Sequence, residues 1–137
     1  MSKDENVRWG WLKFMYIYTI VGSGGFGLGI IAVPEVIKSL FSLPNGDPIT
    51  LGITGSVLIA FGLLAILGLR APLKYVPILF LQLSYKIVWF AGVFLPLLIA
   101  GRFPTSAIPI AIIFASYLIG DLIAIPFSYV FEKESDK

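Results

Sequence analysis

Cysteine and histidine are both absent from the 137 residues. Without a thiol there can be no disulfide, thiolate nucleophile, Fe–S cluster or lipoprotein-type anchor. Without an imidazole the commonest metal and haem ligand is missing, and so is the commonest general base. No metal or cofactor site is therefore expected. Charge is also scarce: 13% of residues are Asp, Glu, Lys or Arg, about half the ~25% usual in a soluble domain. The net charge of +2 is too small to point to nucleic acid. In place of charge the chain carries 58% hydrophobic residues and a mean hydropathy of +0.93. This excludes a soluble globular enzyme and a disordered chain, and it leaves almost no material for an extramembrane domain.

The apolar residues fall into four runs, each long enough to cross a hydrocarbon core of ~30 Å. A polar head, Met1 to Lys13, holds Lys3, Asp4, Glu5, Arg8 and Lys13 with Trp9 and Trp11 at its end. The first span is read as 14–33, ending at Pro34-Glu35 because proline stops a helix and extends the residue before it. Its apolar run exceeds the 7–15 residues of a signal peptide, and no small-x-small cleavage site follows. The segment 35–43 sets Val36, Ile37, Leu40 and Phe41 at helical spacing and is read as a short interfacial helix. Pro44 to Pro48 is turn chemistry. The remaining spans are expected at 49–69, 76–100 and 106–131, with Arg70, Pro72 and Lys74 between the second and third. Gly101 to Thr105 makes a tight hairpin between the third and fourth. Glu132 to Lys137 is a charged end. The whole is one membrane domain, 1–137, of the all-α class.

Lysines and arginines set the orientation. The head (Lys3, Arg8, Lys13), the second loop (Arg70, Lys74) and the tail (Lys133, Lys137) outweigh the first loop (Lys38) and the third (Arg102). Both termini are therefore expected in the cytoplasm. Trp9, Trp11, Phe14, Tyr75, Tyr129 and Phe131 fall at that same interface, where aromatic rings are favoured.

Two charges lie inside spans, Lys86 in the third and Asp121 in the fourth. Each costs about 2.5–3.5 kcal/mol at a helix centre. Lys86 is ten residues from the start of its span and Asp121 ten from the end of its own. In an antiparallel hairpin both then lie roughly 15 Å deep. Opposite charges at one depth are expected to pair, since each is otherwise desolvated alone. Gln82 and Trp89 share a stripe with Lys86, and Tyr85 adjoins it. Tyr117, Asp121, Ala124 and Ser128 share a face of the fourth span, with Ser84 and Ser116 near. These residues read either as a structural ion pair fixing helix register or as a site for a small amphipathic ligand or a proton.

Gly22-Ser23-Gly24-Gly25-Phe26-Gly27 matches the dinucleotide fingerprint G-x-G-x-x-G, but no βαβ unit surrounds it. Close helix packing is the better reading. Gly25 and Gly29 form a G-x-x-x-G pair within a stripe of Gly22, Gly25 and Gly29, and Gly55 and Gly62, with Ser56 and Ala60, give the second span a similar side. Pro96, Pro109 and Pro126 fall within spans and are expected to kink them. Glu35 reads as an interfacial charge.

The order of features is similar to that of small bacterial four-helix membrane proteins of the DoxX-like kind and their relatives. The residues that carry the likeness are the Gly-rich first span ending in Pro34, the turn Pro44 to Pro48, Gly55 and Gly62 before Leu69-Arg70, then Pro72-Leu73-Lys74-Tyr75, and finally Tyr85-Lys86-x-x-Trp89. The resemblance spans about Gly22 to Ala100. It implies a four-helix bundle in the bacterial inner membrane, and some DoxX-type proteins are tied to respiratory or thiol-oxidative-stress complexes with quinone. It carries over no catalytic residue.

The sequence thus leads to an integral-membrane four-helix bundle organised by a buried Lys86–Asp121 pair. As function it suggests a non-enzymatic accessory subunit or a binder of a small lipid- or quinone-like ligand. The alternative is an oligomeric, proton-coupled small transporter in which Asp121 titrates. The expected partners are the lipid bilayer and either a second copy of the chain or a membrane complex.

Overall fold

A computed structural model of the chain describes residues 7–40 and 47–132, apart from the side chain of Ser106. The expectations for the head before Val7, for Phe41 to Gly46 and for the tail beyond Glu132 lie outside the described residues. Within them the chain is helical, with no strand. Three helices are long and apolar enough to cross a membrane: α1 (Trp9–Ala32), α3 (Pro48–Arg70) and α4 (Val76–Ile99). A short helix α2 (Pro34–Leu40) follows α1. After α4 come α5 (Ile108–Ala124) and the single turn α6 (Phe127–Val130).

Proline governs most of the boundaries. Val33, Ala71 and Ile125 each precede a proline and leave helical geometry, with ψ of 62°, 74° and 124°. The proline ring clashes with a helical conformation at the residue before it. Conversely Pro34, Pro48, Pro77 and Pro109 stand at or near helix starts, where a missing N–H leaves no bond unmade. Asp47 caps α3, its carboxylate accepting from the N–H groups of Ile49 and Thr50 at 3.2 Å each. That arrangement holds its carboxyl below the ordinary value of 3.8, the Thr50 hydroxyl contributing most and the two amides next. The α4–α5 turn closes on Gly101, whose φ of +68° is left-handed. Arg102 N–H returns to Leu97 O and Gly101 N–H to Leu98 O, the Schellman ending that glycine permits.

Two of the long helices contain a π-turn. In α4 it covers Phe90–Phe94, and Leu95 N–H reaches back five residues to Phe90 O. Pro96 lies immediately after, so the widened turn accommodates a residue that cannot donate. In α1 the π-turn covers Ile20–Gly24, within the run Gly22-Ser23-Gly24-Gly25. A π-turn inserts one residue into the helical repeat and rotates everything beyond it.

The expectation of one continuous span over 106–131 is corrected. A 3₁₀ turn, Thr105–Ala107, leads into α5, which ends at Ala124 after 17 residues, about 26 Å at 1.5 Å per residue. Pro126 is buried and breaks the helix there rather than kinking it. The carbonyl of Ile123, exposed by the break, accepts from Arg8 Nη1 at 2.8 Å. The first helix also starts earlier than expected, at Trp9 rather than Phe14.

Helix α1 packs against both α3 and α5, and α4 packs chiefly against α5. The core is unevenly placed along these helices. Leu12, Met15, Tyr16 and Thr19 of α1, Ala65 of α3, Val76, Leu79 and Leu83 of α4, and Tyr117 and Ala124 of α5 are all buried. From Ile87 to Ser116 no described residue is buried. That stretch contains the C-terminal half of α4, the turn and the first half of α5. Large apolar side chains face outward on every long helix, among them Val21, Leu28, Ile53, Leu63, Val88 and Ile119. Such a surface suits lipid and would be adhesive in water.

Candidate functional site

Five polar side chains lie in the interior: Thr19, Ser23, Gln82, Lys86 and Asp121. Helix α1 provides the first two, α4 the next two and α5 the last. Gln82 and Lys86 are one helical turn apart and so project from the same side of α4. Tyr117 and Asp121 are related in the same way on α5.

The direct ion pair expected between Lys86 and Asp121 is not formed. Among the described residues the salt bridge is Lys38–Glu35, at 3.4 Å on α2. Lys86 Nζ instead donates to the Tyr85 hydroxyl at 2.8 Å. It lies 4.2 Å from the ring centre of Tyr85, 4.5 Å from that of Tyr117 and 5.0 Å from that of Phe114. Three ring faces within the ~6 Å reach of a cation–π contact make a cage around the ammonium. The physical reason for the departure is that a cation buried in an apolar bundle is stabilised by ring quadrupoles and a hydroxyl as well as by a carboxylate.

Asp121 is fully buried. Its Oδ2 accepts from Gln82 Nε2 at 3.2 Å, while Oδ1 has no hydrogen-bond partner. Gln82 is tied in turn to α1, since Thr19 Oγ1 lies 3.1 Å from Gln82 Oε1. Thr19 Oγ1 is also 2.7 Å from Met15 O in its own helix. A line of three polar side chains therefore runs from α1 through α4 to α5, and Lys86 stands beside it.

The other residues singled out in the sequence are distributed as follows. Tyr117 is buried, donates to Tyr18 O at 3.0 Å and stacks on Tyr18 with ring centres 4.3 Å apart. Trp89 does not reach the ammonium cage. It belongs to an aromatic wall with Phe90, Phe94 and Phe114, at 5.1, 5.9 and 5.0 Å between ring centres. Ser84 donates to Phe80 O, and Ser116 to Ile113 O while contacting Tyr18. Ser128 is exposed beyond the break at Pro126 and does not share the Asp121 face. Glu35 is exposed and pairs with Lys38.

The expected glycine stripe on α1 is divided. A Cβ at Gly22 would collide with the Tyr117 hydroxyl, and one at Gly29 would meet Ile37 of α2 at 2.7 Å. Gly25 has nothing within 4 Å and packs on nothing. The glycines that meet α3 are Gly24 and Gly27, which face Gly62 and Gly55. Gly55 and Gly62 thus do lie at a helix contact, whereas Gly25 is exposed and lies off it. Ser23 Oγ donates to Leu58 O at 2.9 Å across the same seam.

Residues that sequence reasoning passed over complete the site. Thr19 and Tyr18 were not singled out, although a hydroxyl in the middle of an uncharged span was a usable signal. Phe114 gave none, being one phenylalanine among eleven. Gly68 and Gly120 admit the Tyr16 ring and the Met15 thioether. Tyr16 itself donates to Pro72 O at 2.6 Å. Comparison with family models, curated proteins and solved structures finds no match for the chain.

Proposed function

We propose that this chain is a non-enzymatic, multi-pass membrane protein that binds a small lipophilic molecule, lipid- or quinone-like, on the outer half of the α4–α5 hairpin. In this reading α1, α3, α4 and α5 cross the bacterial inner membrane as a four-helix bundle with both termini in the cytoplasm, as in the DoxX-like proteins it resembles. The observation that carries the reading is the absence of any buried described residue from Ile87 to Ser116, on a surface walled by Trp89, Phe90, Phe94 and Phe114. Aromatic surface only half covered by its own bundle suits a flat or flexible apolar ligand entering from the bilayer. The caged Lys86 ammonium closes the inner end of that surface.

Trp89 is the tryptophan of this wall, since Trp9 and Trp11 lie at the start of α1. A Trp9→Phe, Trp11→Phe variant in lipid nanodiscs therefore reports on the wall alone. Saturable quenching by a short-chain quinone or a brominated phospholipid is the expected outcome. Quenching that rises linearly without saturating, as for probe merely dissolved in lipid, would refute the ligand site. An accessory subunit would then be left, with the same face covered by another membrane protein.

A second reading, small proton-coupled transport by an oligomer, draws support from a different observation: the buried, unpartnered Oδ1 of Asp121. Proton flux through proteoliposomes that is lost in Asp121→Asn tests it directly.

A further inference from the structure

The hydrogen-bond line from Thr19 to Asp121 contains an arithmetic conflict. A threonine hydroxyl has one hydrogen to donate. Thr19 Oγ1 has two acceptors within reach, Met15 O at 2.7 Å and Gln82 Oε1 at 3.1 Å, and it can serve only one of them at a time.

Suppose first that Thr19 donates to Gln82. The amide nitrogen then faces Asp121 and donates to Oδ2 at 3.2 Å, which an ionised carboxylate accepts. Met15 O loses its extra bond but keeps its place in the helix ladder. Suppose instead that Thr19 donates to Met15 O, the shorter of its two contacts. The Thr19 oxygen can then only accept, so Gln82 must turn its amide around and offer N–H to Thr19. That rotation sets the amide oxygen against Asp121 Oδ2. Two acceptors would then oppose each other unless Asp121 carries a proton on Oδ2 and donates it.

Each arrangement is internally complete, and only the second requires a proton on Asp121 Oδ2. We infer that Asp121 is a proton-binding site whose occupancy sets the direction of the Thr19–Gln82–Asp121 hydrogen bonds, and so is read on α1. This deepens the second reading above and rests on it for the role of Asp121, though it requires no transport. Three further features of the surroundings fit a carboxyl that exchanges a proton. Oδ1 has no partner, and an unpartnered oxygen in an apolar interior costs less on a neutral acid than on a carboxylate. The contacts of Lys86 run to Tyr85 and the rings and do not depend on whether Asp121 carries a proton. The remaining groups are already occupied. Tyr117 on α5 donates to Tyr18 O, Tyr18 on α1 meets Ser116, and Tyr16 on α1 donates to Pro72 O. On α4 the Tyr85 hydroxyl accepts from Lys86, and Arg8 is held on the Ile123 carbonyl.

Infrared difference spectra of the full chain in nanodiscs, taken between high and low pH, test the inference. Lowering the pH should bring up a high-frequency carbonyl band, that of a buried carboxylic acid with an unbonded oxygen and distinct from the bands of the other seven carboxyls, together with a shift in a glutamine side-chain amide band. Asp121→Asn should remove both, and Thr19→Val should alter the amide shift while retaining the acid band. Survival of that high-frequency band in Asp121→Asn would overturn the proposal, as would an Asp121 band unaccompanied by any amide change. If Asp121→Asn does not fold, Gln82→Met decides: the amide shift must vanish and the acid band must move along the pH axis, and an unmoved band overturns the coupling. Failure of proton flux with these bands intact removes transport and leaves the proton site standing.

Discussion

Gly27→Ala and Gly25→Ala are the same chemical change two residues apart, and the structure expects opposite outcomes. A Cβ at position 27 would lie 2.6 Å from Gly55 O, 2.8 Å from Ile59 N and 2.8 Å from Leu58 Cβ. All three belong to the α3 backbone or are fixed to it, so no side-chain rotation relieves the contact. Ordinary contact begins near 3.4 Å, which requires α1 and α3 to separate locally by about 0.8 Å. Overpacking of this kind costs about 1–3 kcal/mol. The separation also stretches the Ser23–Leu58 hydrogen bond at 2.9 Å, and a bond of that kind in a membrane protein averages about 0.6 kcal/mol. Alanine is favoured over glycine in a helix by about 0.8–1.0 kcal/mol, and that gain applies at either position. At position 25, where nothing lies within 4 Å, the gain is unopposed. Gly25→Ala should therefore be neutral or stabilising by up to ~1 kcal/mol. Gly27→Ala should be destabilising, with a gap of about 2 kcal/mol between the two. Reversible unfolding in mixed micelles with increasing SDS, followed by tryptophan fluorescence, measures that gap. Equal stability, or Gly25→Ala as the weaker variant, would refute the packing described and restore the Gly22, Gly25, Gly29 stripe of an uninterrupted α-helix.

Two further outcomes are expected. The double swap Lys86→Asp, Asp121→Lys should not recover the stability lost in each single variant, about 3–5 kcal/mol where a buried charge is left unmatched. An aspartate at 86 would face the negative ring faces of Tyr85, Phe114 and Tyr117, so SDS midpoints of the double variant at wild-type level would show a simple ion pair after all. At Asp47 the carboxyl is held low in the folded chain by Thr50 and Ile49, so its stabilisation of α3 is present above the ordinary value of 3.8 and is lost as pH falls through the lowered one. Hydrogen exchange at the Ile49 and Thr50 amides should accelerate in that acidic window, and exchange that is indifferent to pH there, after correction for the intrinsic rate, would contradict the cap.

Much of the helical architecture was legible because it depends on composition and on proline. Long runs without charge, interrupted at Pro34, Pro72 and Pro126, mark where helices can and cannot continue, and these are local effects. The span over 106–131 failed for a related reason: Pro126 was counted as a kink, whereas with Arg8 available to receive the Ile123 carbonyl the chain can stop its helix there. The glycine stripe failed because regular spacing marks a shared face without saying what that face meets: Gly22 lies against Tyr117, Gly29 against Ile37, and Gly25 is exposed. At the candidate site, the spacing of Gln82, Lys86, Tyr117 and Asp121 identified buried, neighbouring groups, since charge in an apolar span has few places to go. What each group touches was not legible. The choice between a carboxylate and three ring faces for Lys86 depends on Phe114, whose side chain carries no mark distinguishing it from its neighbours.

The caged ammonium has a consequence for how the chain enters the membrane. The chain leaves the ribosome in order, so Lys86 emerges ahead of Phe114, Tyr117 and Asp121. Its nearest hydrogen-bond partner, Tyr85, is the residue just before it on the same helix. The lysine therefore carries a partner with it through insertion and can wait for the rest of its cage. Asp121 arrives last, with Thr19, Gln82 and Lys86 already in place to receive it. The order of synthesis and the arrangement of contacts run in the same direction, and α5 closes a polar centre whose other members precede it in the chain.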